Sequence, residues 1–254
     1  MKKLYVYFTL VVALFIGASF SANAQGKYGK DSAQCVSYLN FYRDYLKQGN
    51  IPEAVHQWRG ALKFCPPTAS QTFYIDGRKI YKNLISKNAK NAELKASLID
   101  TLMFIHKTRM ENFPKSKKVS TENIAYDAIA YFSNSAPEKV LSAVEDVVAI
   151  TGPKTKVALL VSYMNSAAEM YKNNNIDGEK VLKAYTEYSA YIDEQLKATP
   201  TEAIKEARAH FENSFITSGV ATCDNLIAVF TPRYEADPTN IEVVKPIVSL
   251  LSAD

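Results

Sequence analysis

Glycine and histidine are scarce in this chain. Its 254 residues include 9 glycines and 3 histidines. No Gly-x-Ser-x-Gly nucleophile turn, Walker-type phosphate loop or Gly-x-Gly-x-x-Gly dinucleotide fingerprint occurs, and so little glycine does not support such loops. His56, His106 and His210 never have the four-residue spacing of a helical zinc site. We therefore predict no catalytic residues, no cofactor and no bound metal, and the chain is not expected to be an enzyme.

The chain also lacks a strong charge of either sign. Its formal net charge is +4, from 30 basic and 26 acidic side chains. A nucleic-acid-binding domain normally carries a strongly basic face or stripe. We therefore expect no nucleic-acid partner. With 47% hydrophobic and 22% charged residues, the composition is that of an ordinary folded protein with a sizeable core.

A long apolar run occurs only at the N-terminus. Lys2-Lys3 precedes an uncharged stretch over residues 4–16, and residues 22–24 read Ala-Asn-Ala. This order is typical of a cleaved secretory signal peptide, and the run is shorter than the roughly 20 apolar residues that span a membrane. We expect residues 1–24 to be removed, which leaves a net charge of +2. A flexible segment, residues 25–34, would then begin an exported chain without a transmembrane segment, located in the periplasm, outside the cell or in the cell envelope.

The rest of the chain has helical periodicity and no convincing strand pattern. The predicted first helix has aromatic residues at i, i+3, i+4 and i+7, which form one apolar face. These residues are Tyr38, Phe41, Tyr42 and Tyr45. A second apolar helix follows Gln48-Gly49-Asn50 and ends at Pro66-Pro67, so the two helices form an antiparallel hairpin. The sequence predicts an all-α domain of successive hairpins over residues 35–254.

The first hairpin, residues 35–68, resembles a tetratricopeptide repeat (TPR). Its second helix has the order Gly, Glu-Ala, aromatic, Ala-Leu, apolar and Pro that is usual in such repeats. These positions are Gly49, Glu53-Ala54, Trp58, Ala61-Leu62, Phe64 and Pro66. Its first helix departs from the pattern, because Tyr42 replaces a small residue. The resemblance implies a right-handed superhelical array of antiparallel helix hairpins, a TPR-like α-solenoid.

Three later segments are similar to secreted tetratricopeptide-type proteins of the Bacteroidetes. They are Tyr74-Ile75-Asp76-Gly77, Leu98-Ile99-Asp100-Thr101-Leu102 and the run from Ala221 to Ile227. Those relatives are envelope proteins and not enzymes. The resemblance therefore implies a compartment more than a specific role.

The three cysteines fit both export and hairpin geometry. Cys35 opens the first helix and Cys65 closes the second, and these two ends lie side by side in an antiparallel hairpin. We expect a disulfide between them; two buried thiols are the alternative.

Cys223 has no predicted partner, which is unusual in an exported chain. When the hairpins are aligned, Cys223 corresponds to Cys35, and the counterpart of Cys65 would fall at the end of the chain. We hypothesise that this chain is the N-terminal part of a longer repeat array; a form shortened relative to its relatives is the alternative.

The predicted architecture favours binding over catalysis. Stacked hairpins leave a curved groove that accommodates extended peptides or protein elements. We expect a scaffold for protein–protein or protein–peptide interaction in the bacterial envelope, with Tyr38, Arg43 and Tyr45 as groove residues and a partner of unknown identity. The alternative is a glycan- or small-molecule-binding protein, in which tyrosines and Trp58 line a pocket between hairpins.

Overall fold

The structure is a computed structural model that describes residues 26–222 and, beyond them, residues 224–225, 227, 231, 234–235 and 238–239. Three predictions lie outside these residues: the signal peptide at residues 1–24, the unpaired Cys223 and the continuation of the array at the C-terminal end. The described residues divide into two compact units, one up to Lys115 and the other from Ser116. Each unit is described by itself.

The described residues form nine α-helices and two short 3₁₀ helices and include no β-strand, which confirms the all-α prediction for this part of the chain. The first unit contains α1 (Ser32–Lys47), α2 (Ile51–Phe64), α3 (Gln71–Lys87) and α4 (Ala92–Asn112). The second contains α5 (Lys117–Phe132), α6 (Pro137–Thr151), α7 (Val157–Lys172), α8 (Gly178–Ala198) and α9 (Glu202–Ile216). The 3₁₀ helices are Pro114–Ser116 and Gly152–Lys154. Because α1 begins at Ser32, it includes the last residues of the segment predicted to be flexible.

Local capping explains where several helices begin. In four of them a side-chain oxygen of the residue before the helix accepts a hydrogen bond from a backbone N–H of the first turn, which otherwise has no partner. These capping residues are Asn50, Asn91, Asp177 and Thr201. Between α1 and α2, Gly49 has a φ of 73°, a left-handed conformation that favours glycine. The predicted break at residues 48–50 is therefore a tight turn between two helices.

The core of the first unit is built around Trp58 on α2, which is fully buried. Its ring stacks on Phe73 with the centroids 4.6 Å apart, and its Nε1 donates a hydrogen bond to the backbone carbonyl of Phe73 at 3.0 Å. On α3, a Cβ atom at Gly77 would lie 2.6 Å from a ring carbon of Trp58. The absence of a side chain at Gly77 therefore lets α3 approach the indole closely.

The second unit has an aromatic cluster beside a partly buried set of ion pairs. The ring of Tyr185 on α8 stacks on Phe215 of α9, with the centroids 3.8 Å apart. Arg208 forms ion pairs with Glu212 and with Asp193, the second at 2.8 Å. Burial disfavours the charge of Arg208, but the two carboxylates outweigh burial and raise the pKa of the guanidinium. This arginine is therefore held in its charged form inside the unit.

A disulfide closes the α1–α2 hairpin. The Sγ atoms of Cys35 and Cys65 lie 2.11 Å apart, and the two Cα atoms lie 4.8 Å apart. Cys35 is in the first turn of α1 and is fully buried, and Cys65 is the C-cap residue of α2. The bridge therefore joins the start of one helix to the end of the other, at the position that the hairpin pattern predicts.

Replacing both Cys35 and Cys65 with alanine should lower the free energy of unfolding by about 3–4 kcal/mol, because the unfolded chain is then no longer restricted by a closed loop. The two cysteines are separated by 30 residues. Urea unfolding followed by the fluorescence of Trp58, the single tryptophan, measures the change. A reductant should destabilise the wild type by a similar amount and leave the double variant unchanged. An unfolding curve of the wild type that does not respond to reductant would show that the bridge is not formed in solution.

Candidate functional site

A concave surface with a cavity of about 550 Å³ lies on the α1–α2 hairpin. Seven residues supply its aromatic and polar side chains, and we call the surface the aromatic recess. They are Gln34, Ser37, Tyr38, Phe41 and Tyr45 on α1, and His56 and Gln57 on α2. This volume is within the range of typical ligand sites.

The aromatic side chains of the recess occupy one stripe of α1. Tyr38, Phe41 and Tyr45 stand at i, i+3 and i+7, a spacing that places residues on the same face of a helix. Tyr38 also stacks on Phe64 of α2, with ring centroids 5.5 Å apart and ring planes 4° from parallel. A Cβ atom at Gly60 of α2 would lie 2.3 Å from the Tyr38 ring. The glycine therefore makes room for Tyr38 against α2.

Phe41 is the most exposed aromatic residue of the recess, at 51%. The sequence analysis placed it on the same apolar face as its neighbour Tyr42, and the structure separates the two residues. Tyr42 is fully buried, burial raises its pKa to about 12, and its hydroxyl donates to Asp76 Oδ2 at 3.3 Å. Tyr42 therefore belongs to the core, whereas Phe41 is available to a partner.

The polar groups of the recess are the amides of Gln34 and Gln57, the hydroxyls of Ser37 and the tyrosines, and the imidazole of His56. Gln34 and Gln57 each carry one carbonyl acceptor and one amide donor group. All of the lining residues fall within the described part of the chain, and none of them is Lys, Arg, Asp or Glu. The recess therefore matches a partner that offers apolar side chains and neutral hydrogen-bonding groups rather than a charge.

The structure brings together two of the three predicted groove residues. Tyr38 and Tyr45 line the recess, and Arg43 does not. Its Nη2 donates to Ser70 Oγ at 3.3 Å, and its guanidinium carbon lies 5.5 Å from the centroid of the Tyr42 ring. Arg43 therefore lies outside the recess, and its role in a groove stays a prediction.

The structure does not place Trp58 in an aromatic ligand pocket. The indole is fully buried between α2 and α3, so no ligand can reach it. Of the three histidines, His106 is buried, whereas His56 and His210 are exposed. Within the part of the chain that the structure describes, no three His, Cys, Asp or Glu side chains are grouped closely enough to hold a metal ion.

A second concave surface, in the second unit, was not predicted. It has a volume of about 690 Å³ and lies along one face of α7, and we call it the amide groove. Its lining residues are Ile129, Ser133, Asn134, Pro137, Ser162, Asn165, Ser166, Glu169, Asn173 and Asn175. In the sequence, Asn173-Asn174-Asn175 reads only as a polar break between two helices. The signal for the groove is the polar stripe at positions 162, 165, 166 and 169 of α7, which continues to Asn173 just after the helix.

Hydrogen bonds within the amide groove satisfy only some of its amide groups. Asn165 Oδ1 accepts a hydrogen bond from Ser214 Oγ, and Asn173 Nδ2 donates to Glu169 Oε1 at 3.0 Å. The side chains of Asn134 and Asn175 make no hydrogen bond to another described residue. The groove therefore presents unused donors and acceptors.

No protein-family model matches the chain, and no curated protein matches it. Among the described helices, none combines the length and the apolar character needed to cross a membrane. The two concave surfaces are therefore the features that bear on the function of the chain.

Gly60→Ala should destabilise the chain by about 1–3 kcal/mol, because the new methyl group and the Tyr38 ring would occupy the same space. Helix propensity alone predicts the opposite sign, since alanine is favoured over glycine by about 1 kcal/mol within a helix. For comparison, Gly60→Ala is also introduced into a chain that carries Tyr38→Ala. Once the ring is absent, Gly60→Ala should be neutral or stabilising in urea unfolding. An equal loss of stability in both backgrounds would contradict the packing of Tyr38 against Gly60.

Proposed function

We propose that this chain is an exported, non-enzymatic binding protein of a bacterial cell envelope, and that its aromatic recess binds an extended peptide segment of a protein partner. The observation that carries the proposal is Phe41, an aromatic ring that is 51% exposed in a concave surface and has Tyr38 and Tyr45 on the same stripe of α1. In this proposal the α1–α2 hairpin is one repeat of a TPR-like array.

The energetics of the recess support binding. Covering an exposed phenylalanine removes apolar surface from water, which is worth about 25 cal/mol for each Å² buried. Aromatic rings are also common anchors of protein interfaces. The disulfide between Cys35 and Cys65 and the packing of Tyr38 on Phe64 hold the surface in shape. The side chains of the recess therefore need little further ordering when a partner binds. The entropic cost of binding is reduced, so more of the interaction energy contributes to affinity.

The polar residues of the recess support a peptide as its ligand. A peptide backbone offers N–H donors and C=O acceptors, and the amides of Gln34 and Gln57 can satisfy one of each. A lining without Lys, Arg, Asp or Glu favours peptide residues with aromatic or aliphatic side chains, because an ionic group that entered would lose water without gaining a carboxylate, ammonium or guanidinium partner. We therefore expect a neutral segment with at least one large apolar side chain.

Two observations support export. Disulfides persist in oxidising compartments and are rare in the cytosol. The Cys35–Cys65 bridge fits the signal peptide predicted at residues 1–24. The resemblance of residues 35–68 to a tetratricopeptide repeat supports the class of scaffold, since such repeats act through their surfaces and not through bond-making chemistry.

Binding to the recess can be tested with a panel of labelled peptides that share an aromatic residue and differ in charge. Neutral peptides should bind more tightly than the same peptides with Asp or Lys beside the aromatic residue, as measured by fluorescence anisotropy. Phe41→Ser and Tyr45→Ser should each weaken binding by tenfold or more, because truncation of an anchor aromatic at an interface commonly costs above about 1.4 kcal/mol.

The matched control for this experiment is Leu94→Ser. Leu94 is 40% exposed on α4 of the same unit and does not line the recess. The Leu94→Ser substitution should leave peptide affinity unchanged. Equal losses in the Leu94 and Phe41 variants, or a panel in which no neutral peptide binds, would contradict the proposal.

The amide groove supports glycan binding as a second candidate function. Side-chain amides and hydroxyls can donate to and accept from sugar hydroxyls, and the groove is lined by four asparagines and three serines without a lysine or arginine. Neutral oligosaccharides should therefore bind there.

Asn134→Ala and Asn175→Ala should each weaken oligosaccharide binding severalfold in calorimetric titrations, and Phe41→Ser should have no effect. Binding that depends on Phe41 but not on these asparagines would exclude the groove as the glycan site.

A further inference from the structure

A smaller cavity, of about 190 Å³, lies in the first unit between the α1–α2 hairpin and the helices α3 and α4. We call it the hairpin cavity. Its buried lining residues include Leu39 on α1, Ala61 on α2 and Ala69 in the loop before α3, and Pro67 and Phe104 are exposed at its edge. None of the described residues that line it belongs to the aromatic recess. The cavity and the recess are therefore separate.

The lining of the hairpin cavity is apolar. Among the described residues that form it, none is Lys, Arg, His, Asp or Glu. Its three hydroxyl side chains already take part in hydrogen bonds. Tyr74 donates to a carbonyl of the preceding loop at 2.9 Å, Thr108 donates to a carbonyl of its own helix at 2.9 Å, and Ser70 Oγ accepts from Arg43 Nη2 at 3.3 Å. Burial raises the pKa of Tyr74 to about 12, which fits surroundings of low polarity.

An apolar cavity of this size favours an apolar guest over water. A buried water molecule needs roughly two to four polar partners. The side chains of the hairpin cavity do not offer them, because their hydroxyl groups are already engaged. In another protein, an apolar cavity of about 150 Å³ stays dry and binds benzene. At about 190 Å³, the hairpin cavity has room for one aromatic ring with a short alkyl substituent.

The walls of the hairpin cavity are held in place by the fold. Pro66 and Pro67 have a φ angle fixed by their rings, and the Tyr74 hydroxyl binds the carbonyl of Pro67. Cys65, one half of the disulfide, also lines the cavity. The rings of Phe73 and Tyr74 meet edge to face with their centroids 5.2 Å apart, a packing that the ring of a ligand can extend. Binding therefore requires little reorganisation of the chain.

We propose that the hairpin cavity binds a small, uncharged hydrophobic molecule that carries one aromatic ring or an alkyl group of similar size. Its affinity comes from apolar surface that is removed from water. A charged group of the same size is excluded, because it would lose its water and find no ionic partner among the described lining residues. The proposal does not rest on peptide binding at the aromatic recess, since the two sites share no described lining residue.

The test is thermal unfolding of the purified chain with toluene, cyclohexane or benzoate. The fluorescence of Trp58 reports on the first unit, because the indole stacks on Phe73 in the cavity wall. At about ten times its dissociation constant, toluene should raise the melting temperature by about 3–6 °C, and cyclohexane should give a shift of the same sign. Benzoate at the concentration of toluene should give no shift.

A variant in which the cavity is filled locates the site. Ala69→Leu places a larger apolar side chain in the lining and should abolish the toluene shift. The matched control is Ala33→Leu, the same substitution in the lining of the aromatic recess, and it should keep the full shift. A toluene shift that is lost in Ala33→Leu and kept in Ala69→Leu would place the ligand in the recess and overturn the proposal.

A second measurement decides the question if Ala69→Leu does not fold. In the wild type with ¹³C-labelled methyl groups, toluene should shift the resonances of Leu39 and Leu62 in the cavity lining until they saturate. The resonances of Leu94, which is 40% exposed on α4 and does not line the cavity, should not move. Leu39 and Leu62 resonances that do not respond, a melting temperature that toluene does not raise, or an equal shift with benzoate would contradict the proposal.

Discussion

The disulfide between Cys35 and Cys65 is the constraint on which the proposed binding surface depends. It joins the start of α1 to the end of α2, so the two helices cannot separate at that end without breaking a covalent bond. Within the closed hairpin, Gly60 allows the Tyr38 ring to lie against α2 and to stack on Phe64. The shape of the aromatic recess is therefore a consequence of one covalent bond and one missing side chain, and the exposed aromatic residue lies on a fixed support.

Local patterns in the sequence predicted the helices and the bridge. Helical periodicity, the turn at residues 48–50 and the paired prolines after α2 are short-range signals, because each depends on residues within a few turns of the chain. Once the hairpin is inferred, the neighbouring positions of Cys35 and Cys65 follow from antiparallel geometry. The all-α class and the disulfide could therefore be predicted without knowledge of the tertiary packing.

The candidate site could be predicted only in part, because its accessibility is set by packing between helices. Tyr42 and Phe41 are adjacent and both aromatic, yet only Tyr42 is covered by the core. Trp58 looks like a ligand-binding residue in the sequence, but α3 packs over it through Gly77.

The most direct test of peptide binding at the recess is site-specific photo-crosslinking in the cells that make the protein. A photoreactive phenylalanine analogue replaces Phe41 in one strain and Leu94 in another, since both side chains are exposed in the first unit. The account predicts discrete cross-linked polypeptides from position 41, absent from position 94 and reduced by an excess of a neutral aromatic peptide. The same products from both positions, or products at position 41 that the peptide does not reduce, would contradict it.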